Sequence, residues 1–173
     1  MTTYTITAPD NYPRPRISGS VGTDLQFKFC LDPSWKQLYD RDTNESHKIT
    51  GVSELLNRNS MRLAVRRHPF ATMRGLVAVF YLHRNSKTTY DSLKDDSGRA
   101  ILLDYEQYYY CRIWQNGLFW QLDLFTHDMK LLSSASAQMN IGSFPIGRRL
   151  SSVYIEPSVF SEPIITYIDW IKR

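Results

Sequence analysis

The histidines and cysteines of this sequence are the residues most able to do chemistry, and their spacing predicts no metal or catalytic centre. The histidines are His47, His68, His83 and His127. None has the H-x-x-x-H or H-E-x-x-H spacing that places two ligands on one face of a helix. There is no G-x-S-x-G turn for a serine nucleophile, and neither Cys30 nor Cys111 lies in an active-site motif. We therefore expect no enzymatic activity, metal or cofactor, and keep an enzyme with an unrecognised site as an alternative.

A basic stretch is the strongest charge signal in the chain. Between Leu55 and Tyr90 there is no acidic residue, although the net charge of the whole chain is only +4. Its cations are Arg58, Arg62, Arg66, Arg67, Arg74, Arg84 and Lys87. Such a stretch favours contact with a polyanion or with an anionic membrane surface. A solvated basic face that only keeps the protein soluble is the alternative.

The second signal is aromatic density between Tyr105 and Phe125. Strand alternation prevents Tyr108 and Tyr110 from sharing one face with Tyr109, so some of these rings should be exposed. Burial on both faces of a sheet and a partner surface are both compatible with this pattern.

Hydrophobic periodicity predicts a mixture of strands and helices. Leu25–Leu31 alternates with the period of a half-buried strand, and Asn116-Gly117 predicts a hairpin between strands 107–114 and 118–125. A helix is predicted to begin at Thr50, and another to cover 69–83, with a buried strand over 76–82 as the alternative for the second.

These elements predict one α+β domain, in which an antiparallel sheet packs against two or three helices. The globular part is expected to cover residues 21–173, after an extended Pro-rich arm over residues 1–20. The polar tract 133–138 is expected to lie outside the sheet. Both cysteines are expected to be small buried hydrophobic residues in a reducing compartment.

The centre of the chain resembles a rhabdovirus matrix protein. The resemblance covers roughly residues 21–87 and depends on a strand, a short helix, the segment Arg67-His68-Pro69-Phe70 and the apolar run to Leu82. In that family a basic residue, one spacer and Pro-Phe precede a hydrophobic helix. The arm lacks a lysine-rich segment and the P-P-x-Y or P-T/S-A-P motifs of animal-virus members, which suits a plant-infecting member.

The resemblance implies a non-enzymatic structural protein of the virion and host cytoplasm. It would self-associate, condense the viral nucleoprotein–RNA complex and link it to anionic membrane lipids and the viral glycoprotein. The seven cations of the basic stretch are the expected contact with nucleocapsid or membrane. Self-association is assigned to Tyr12, Pro13, Arg14 and Pro15. The rival hypothesis is a viral nucleic-acid-binding protein, either a small capsid subunit or a silencing suppressor, that uses the same cations.

Overall fold

Strands make up nearly all the regular structure among the residues that can be described. The computed structural model describes residues 1–7, 10, 12–13, 19–38, 46–54, 59–67, 75–84, 87–139, 148–155 and 161–173. Its strands are β1 (Thr2–Ile6), β2 (Asp24–Leu31), β3 (His47–Glu54), β4 (Asn59–Arg66), β5 (Gly75–Arg84), β6 (Lys87–Ser92), β7 (Leu102–Asp104), β8 (Tyr108–Asn116), β9 (Phe119–Phe125), β10 (Leu131–Gln138), β11 (Arg148–Ser151) and β12 (Ile164–Lys172). In these ranges the only helical element is a 3-10 helix, Pro33–Leu38.

The strands form two antiparallel sheets. Sheet A has the order β1-β12-β2-β8-β9-β10, and sheet B has the order β11-β3-β4-β5-β6. The short β7 pairs with the start of β5, whereas β6 pairs with the rest of β5. Strands distant in sequence are therefore neighbours in each sheet, so residues for a common site come from several segments.

The two sheets pack face to face through one hydrophobic core. In β2 the inward residues are Leu25, Phe27 and Phe29, and in β4 they include Met61 and Leu63; all five side chains are completely buried. They belong to one cluster with residues of β5, β8 and β9. The alternate residues of each strand consequently point away from the core, where they form the outer face of each sheet.

The expected α+β class is wrong, because the predicted helices are strands wherever the chain is described. The helix expected from Thr50 is replaced by β3, in which the Thr50 hydroxyl donates a hydrogen bond to the Ser151 carbonyl at 2.6 Å instead of capping a helix. All but the last residue of β3 are buried, so the strand lacks the alternation that distinguishes a strand from a helix in a sequence.

The helix expected over residues 69–83 is wrong for the same reason. Gly75–Arg84 form β5, which is the alternative, a buried strand, and residues 68–74 lie outside the described residues. Leu76 and Phe80 face the main core, while Val77 and Val79 pack in a second apolar cluster on the other side. A strand that is apolar on both faces cannot be distinguished from a helix by periodicity alone.

Several of the other predictions are confirmed. The strand 25–31 is β2, the hairpin at Asn116-Gly117 joins β8 to β9, and both cysteines are buried thiols. The polar tract 133–138 is an exception, because it forms most of the edge strand β10. No helix within the described ranges has the length and apolar character needed to cross a membrane.

Candidate ligand-binding face

The outer face of sheet B carries a concentration of polar, cationic and aromatic side chains. Residues Ser60, Arg62 and Arg66 alternate with inward Met61, Leu63 and Val65 along β4. On β5, Tyr81 lies opposite Arg62 and His83 lies opposite Ser60. Strand alternation thus places two hydrogen-bonding rows side by side on this face.

These rows form part of an open depression of about 240 Å³. It is lined by Tyr12, Lys48, Ser60, Arg62, Tyr81, His83, Thr88 and Tyr154. Two of these side chains are cations, three are tyrosines and none is acidic. The Nδ1 atom of His83 is 3.0 Å from the Thr88 hydroxyl, which orients the imidazole. The described lining therefore combines cations, aromatic rings and hydrogen-bonding groups, among which Lys48 and Ser60 are buried.

Lys48 and Tyr154 are brought together by a backbone bridge between residues over a hundred positions apart in sequence. The amide of each donates to the carbonyl of the other at 2.8 Å. The Lys48 ammonium lies 4.6 Å from the centre of the Tyr154 ring and 4.9 Å from that of Tyr81. The Tyr12 ring packs on Tyr154 with 5.1 Å between centroids. Cation–π attraction thus holds the ammonium between two tyrosines.

Arg62 is the second cation of the depression. Its guanidinium lies 6.0 Å from the centre of the Tyr81 ring. Burial lowers the pKa of Arg62, an effect opposed by the hydroxyls of Tyr81 and Tyr12. An arginine nevertheless stays protonated in proteins, so Arg62 provides a partly desolvated positive charge. Such a charge attracts an anion more strongly than one fully exposed to water.

Gly51 fixes the position of β3 against Arg62. A Cβ atom at Gly51 would lie 2.1 Å from the Met61 carbonyl oxygen and 2.6 Å from the Arg62 Cα. Only glycine allows the two backbones to approach this closely. The sequence therefore brings Lys48 and Arg62, on adjacent strands, into the same depression.

On the outer face of sheet A, one carboxylate neutralises two cations. Asp24 accepts hydrogen bonds from Arg112 at 2.8 Å and from Lys172 at 2.7 Å. Asp123 accepts hydrogen bonds from Trp114 at 2.7 Å and from Ser134 at 2.6 Å. Lys28, on the same face, lies 4.3 Å from the centre of the Tyr108 ring and 5.6 Å from that of Tyr110, so contacts between a cation and tyrosine rings occur on both outer faces.

Strand alternation divides the predicted basic contact between two sides of sheet B. Arg62 and Arg66 point to its outer face. Arg84 on β5 and Lys87 on β6 lie opposite each other in the strand register, and their side chains point to the other face. Arg84 there donates a hydrogen bond of 3.4 Å to the Gln138 carbonyl of sheet A. Arg67 follows β4 and is half-buried. Arg58 and Arg74 lie outside the described residues.

The predicted self-association segment contributes one residue to the depression. Tyr12 lines it, and the adjacent Pro13 is buried. Arg14 and Pro15 lie outside the described residues. Self-association through this segment stays a prediction.

Sequence reasoning missed Lys48, Tyr81, His83 and Tyr154 as members of one site. The alternation of residues 60–66 was the available signal, since it is that of a half-buried strand with Arg62 and Arg66 on the polar side. The contribution of Lys48 and Tyr154 depends on pairing between distant segments and has no local signal. In the described ranges no three His, Cys, Asp or Glu side chains converge to hold a metal.

The sequence matches no protein-family model and no curated protein. Solved structures of similar fold include an alginate lyase from Klebsiella pneumoniae, with a TM-score of 0.57 and 9% identity. The match covers 87% of this chain and 59% of that chain. A GH43 protein from Bacillus licheniformis has a TM-score of 0.51 and 8% identity, with 86% of this chain and 27% of that chain covered. Likeness at these identities shows the fold alone.

Proposed function

We propose that the outer face of sheet B binds an anionic polysaccharide, such as a uronic acid polymer. The observation that carries this proposal is the Lys48 ammonium between the rings of Tyr81 and Tyr154, beside Arg62. Tyrosine rings pack against the apolar faces of sugar rings, while their hydroxyls bind water or sugar hydroxyls. The two cations provide the attraction for carboxylates.

The fold likeness supports the choice of ligand. One structure of similar fold is an alginate lyase, and alginate is a polymer of uronic acids. For this chain we propose binding without turnover, which requires only the cations, rings and hydroxyls described above. The matrix function and the nucleic-acid-binding function both stay predictions. The two helices on which the matrix resemblance partly depended are strands where they are described.

A nucleic acid is the main competing ligand, because cations beside aromatic rings also bind single-stranded RNA. Such binding usually follows a track of exposed cations along the phosphate backbone. Here the exposed Arg84 and Lys87 point away from Arg62 and Arg66, so the described residues do not join them in one track. This division favours the saccharide.

Isothermal titration calorimetry with a uronate hexasaccharide tests the proposal. A neutral hexasaccharide tests the need for charge, and a short RNA tests the competing ligand. Arg62→Gln should weaken uronate binding by about 10-fold or more, because a hydrogen bond to a charged group contributes roughly 1.5–3 kcal/mol. Arg84→Gln, the matched control on the opposite side of the sheet, should leave the affinity within about twofold.

Two results would overturn the proposal. One is equal affinity for neutral and uronate saccharides, and the other is binding of RNA alone. Release of an unsaturated uronate, detected by its ultraviolet absorbance, would show elimination and would contradict binding without turnover.

A further inference from the structure

The depression continues toward the edge of sheet B through a second pair of cation and tyrosine. Tyr90 on β6 lies directly opposite Tyr81 on β5, so their side chains are neighbours on the outer face. The Arg66 guanidinium lies 5.7 Å from the centre of the Tyr90 ring. Tyr90 is 44% exposed, which leaves much of its surface open to a ligand.

Arg66 is held in this position by uncharged groups. Its Nη2 atom donates a hydrogen bond of 2.7 Å to the Ser92 hydroxyl on β6, so the side chain crosses β5 over Val79, the residue between Ala64 and Ser92. Neither the Ser92 hydroxyl nor the Tyr90 ring carries a negative charge that would neutralise the guanidinium. The positive charge of Arg66 is therefore oriented but still available to an anion.

Together with the cations and tyrosines of the depression, this second pair forms a strip that runs across the strands. We refer to this surface as the cation–tyrosine strip; its residues are Tyr154, Lys48, Arg62, Tyr81, Arg66 and Tyr90. The strip extends from the backbone segment beside β3, across β4 and β5, to β6. Four inter-strand steps of about 4.8 Å give it a length of roughly 19 Å, which is longer than one sugar ring.

We infer that this strip binds an anionic polysaccharide chain lying across the strands, with Arg66 and Tyr90 forming a second subsite for a sugar beyond the depression. This inference rests on the proposed function and names its ligand as a polymer rather than a single uronic acid. The first subsite then contains Lys48 and Arg62, and each subsite combines a tyrosine ring with at least one cation. Binding should accordingly strengthen as the oligosaccharide grows long enough to occupy both.

The test compares the affinities of a uronate disaccharide, tetrasaccharide and hexasaccharide by calorimetry. In the unmodified protein the affinity should rise with length. Arg66→Gln and Tyr90→Ala should each reduce the affinity of the hexasaccharide by about 10-fold, with little effect on the disaccharide bound at the first subsite. Tyr108→Ala is the matched control, because Tyr108 is an exposed tyrosine on the outer face of sheet A.

The outcomes separate this inference from the proposed function. If Arg62→Gln weakens binding at every length but Arg66→Gln and Tyr90→Ala leave the length dependence unchanged, the second subsite is refuted and the proposed function stands. If the unmodified protein binds no uronate at any length, the proposed function fails and the strip with it. Thermal unfolding of each variant confirms that it is folded, and Tyr90→Phe, which keeps the ring, should retain most of the gain with length.

Discussion

Protonation of His47 in the unfolded chain should reduce the stability of the protein well above the pH at which carboxylates titrate. His47 is only 3% exposed on β3, and its ring lies edge-on to Trp35, with 6.4 Å between centroids. Burial lowers the pKa of His47 to about 4, and the neighbouring Lys48 adds to this effect. In the unfolded chain the pKa returns to about 6.5.

Proton uptake by the unfolded chain determines how the free energy of unfolding changes with pH. As the pH falls below about 6.5, the unfolded state binds a proton at His47, whereas the folded state does so only near pH 4. The free energy of unfolding therefore decreases across this window. With these two pKa values the loss is about 2 kcal/mol between about pH 7.5 and pH 5, and it reaches about 3 kcal/mol near pH 4.

Urea unfolding followed by tryptophan fluorescence measures this loss, because Trp35 and Trp120 are completely buried. The urea midpoint should fall by roughly 1 M over this pH range. His47→Gln should flatten the dependence, while His127→Gln, at an exposed turn, should preserve it. If the free energy of unfolding of the unmodified protein stays constant between about pH 7.5 and pH 5, His47 does not have this low pKa in the folded protein.

Other predictions concern the backbone, an ion pair and a thiol. Gly51→Ala should lower the free energy of unfolding, measured by urea titration, by about 2 kcal/mol or more, because the new Cβ would clash with the backbone of β4. Gly22→Ala is the control, because a Cβ at Gly22 would lie 3.7 Å from its nearest neighbour, the Arg173 carbonyl oxygen. Burial raises the pKa of Asp24, but hydrogen bonds from Arg112 and Lys172 outweigh it and hold that pKa well below its ordinary value. Asp24→Asn should therefore destabilise the protein by about 1 kcal/mol at neutral pH, less in high salt, and an unchanged urea midpoint would contradict this. Burial raises the pKa of the Cys111 thiol well above its ordinary value. A thiol reagent should therefore label Cys111 only as fast as the protein unfolds. Rapid labelling of the native protein would contradict this, because it would show that β8 is accessible at Cys111.

Local alternation allowed part of this fold to be predicted from the sequence. Leu25–Leu31 has one buried face and one largely half-buried, mostly polar face, so its period of two is visible. The segment 76–82 is apolar on both faces, and its β-branched Val77 and Val79 were the remaining signal for a strand. The polar segment 133–138 forms an edge strand, where fewer side chains need to be apolar.

The candidate site was predictable only in part. The sequence identified Arg62 and Arg66 as a basic contact, but it grouped them with Arg84 and Lys87 because alternation of β4 and β5 was not recognised. A correct assignment of these strands would have separated the two pairs. The position of Lys48 beside Tyr81 depends on the order of strands in sheet B, which no local pattern determines.

Nuclear magnetic resonance titration with a uronate hexasaccharide tests which face of the protein binds the ligand, because it reports the residues that the ligand perturbs. We expect saturable shifts of the amide signals of Arg62, Tyr81 and Tyr154, with smaller shifts at Tyr90. Signals from the outer face of sheet A, such as Trp114 and Asp123, should stay unchanged. Shifts confined to that face, or no saturable shift at all, would contradict the assignment of the binding face to sheet B.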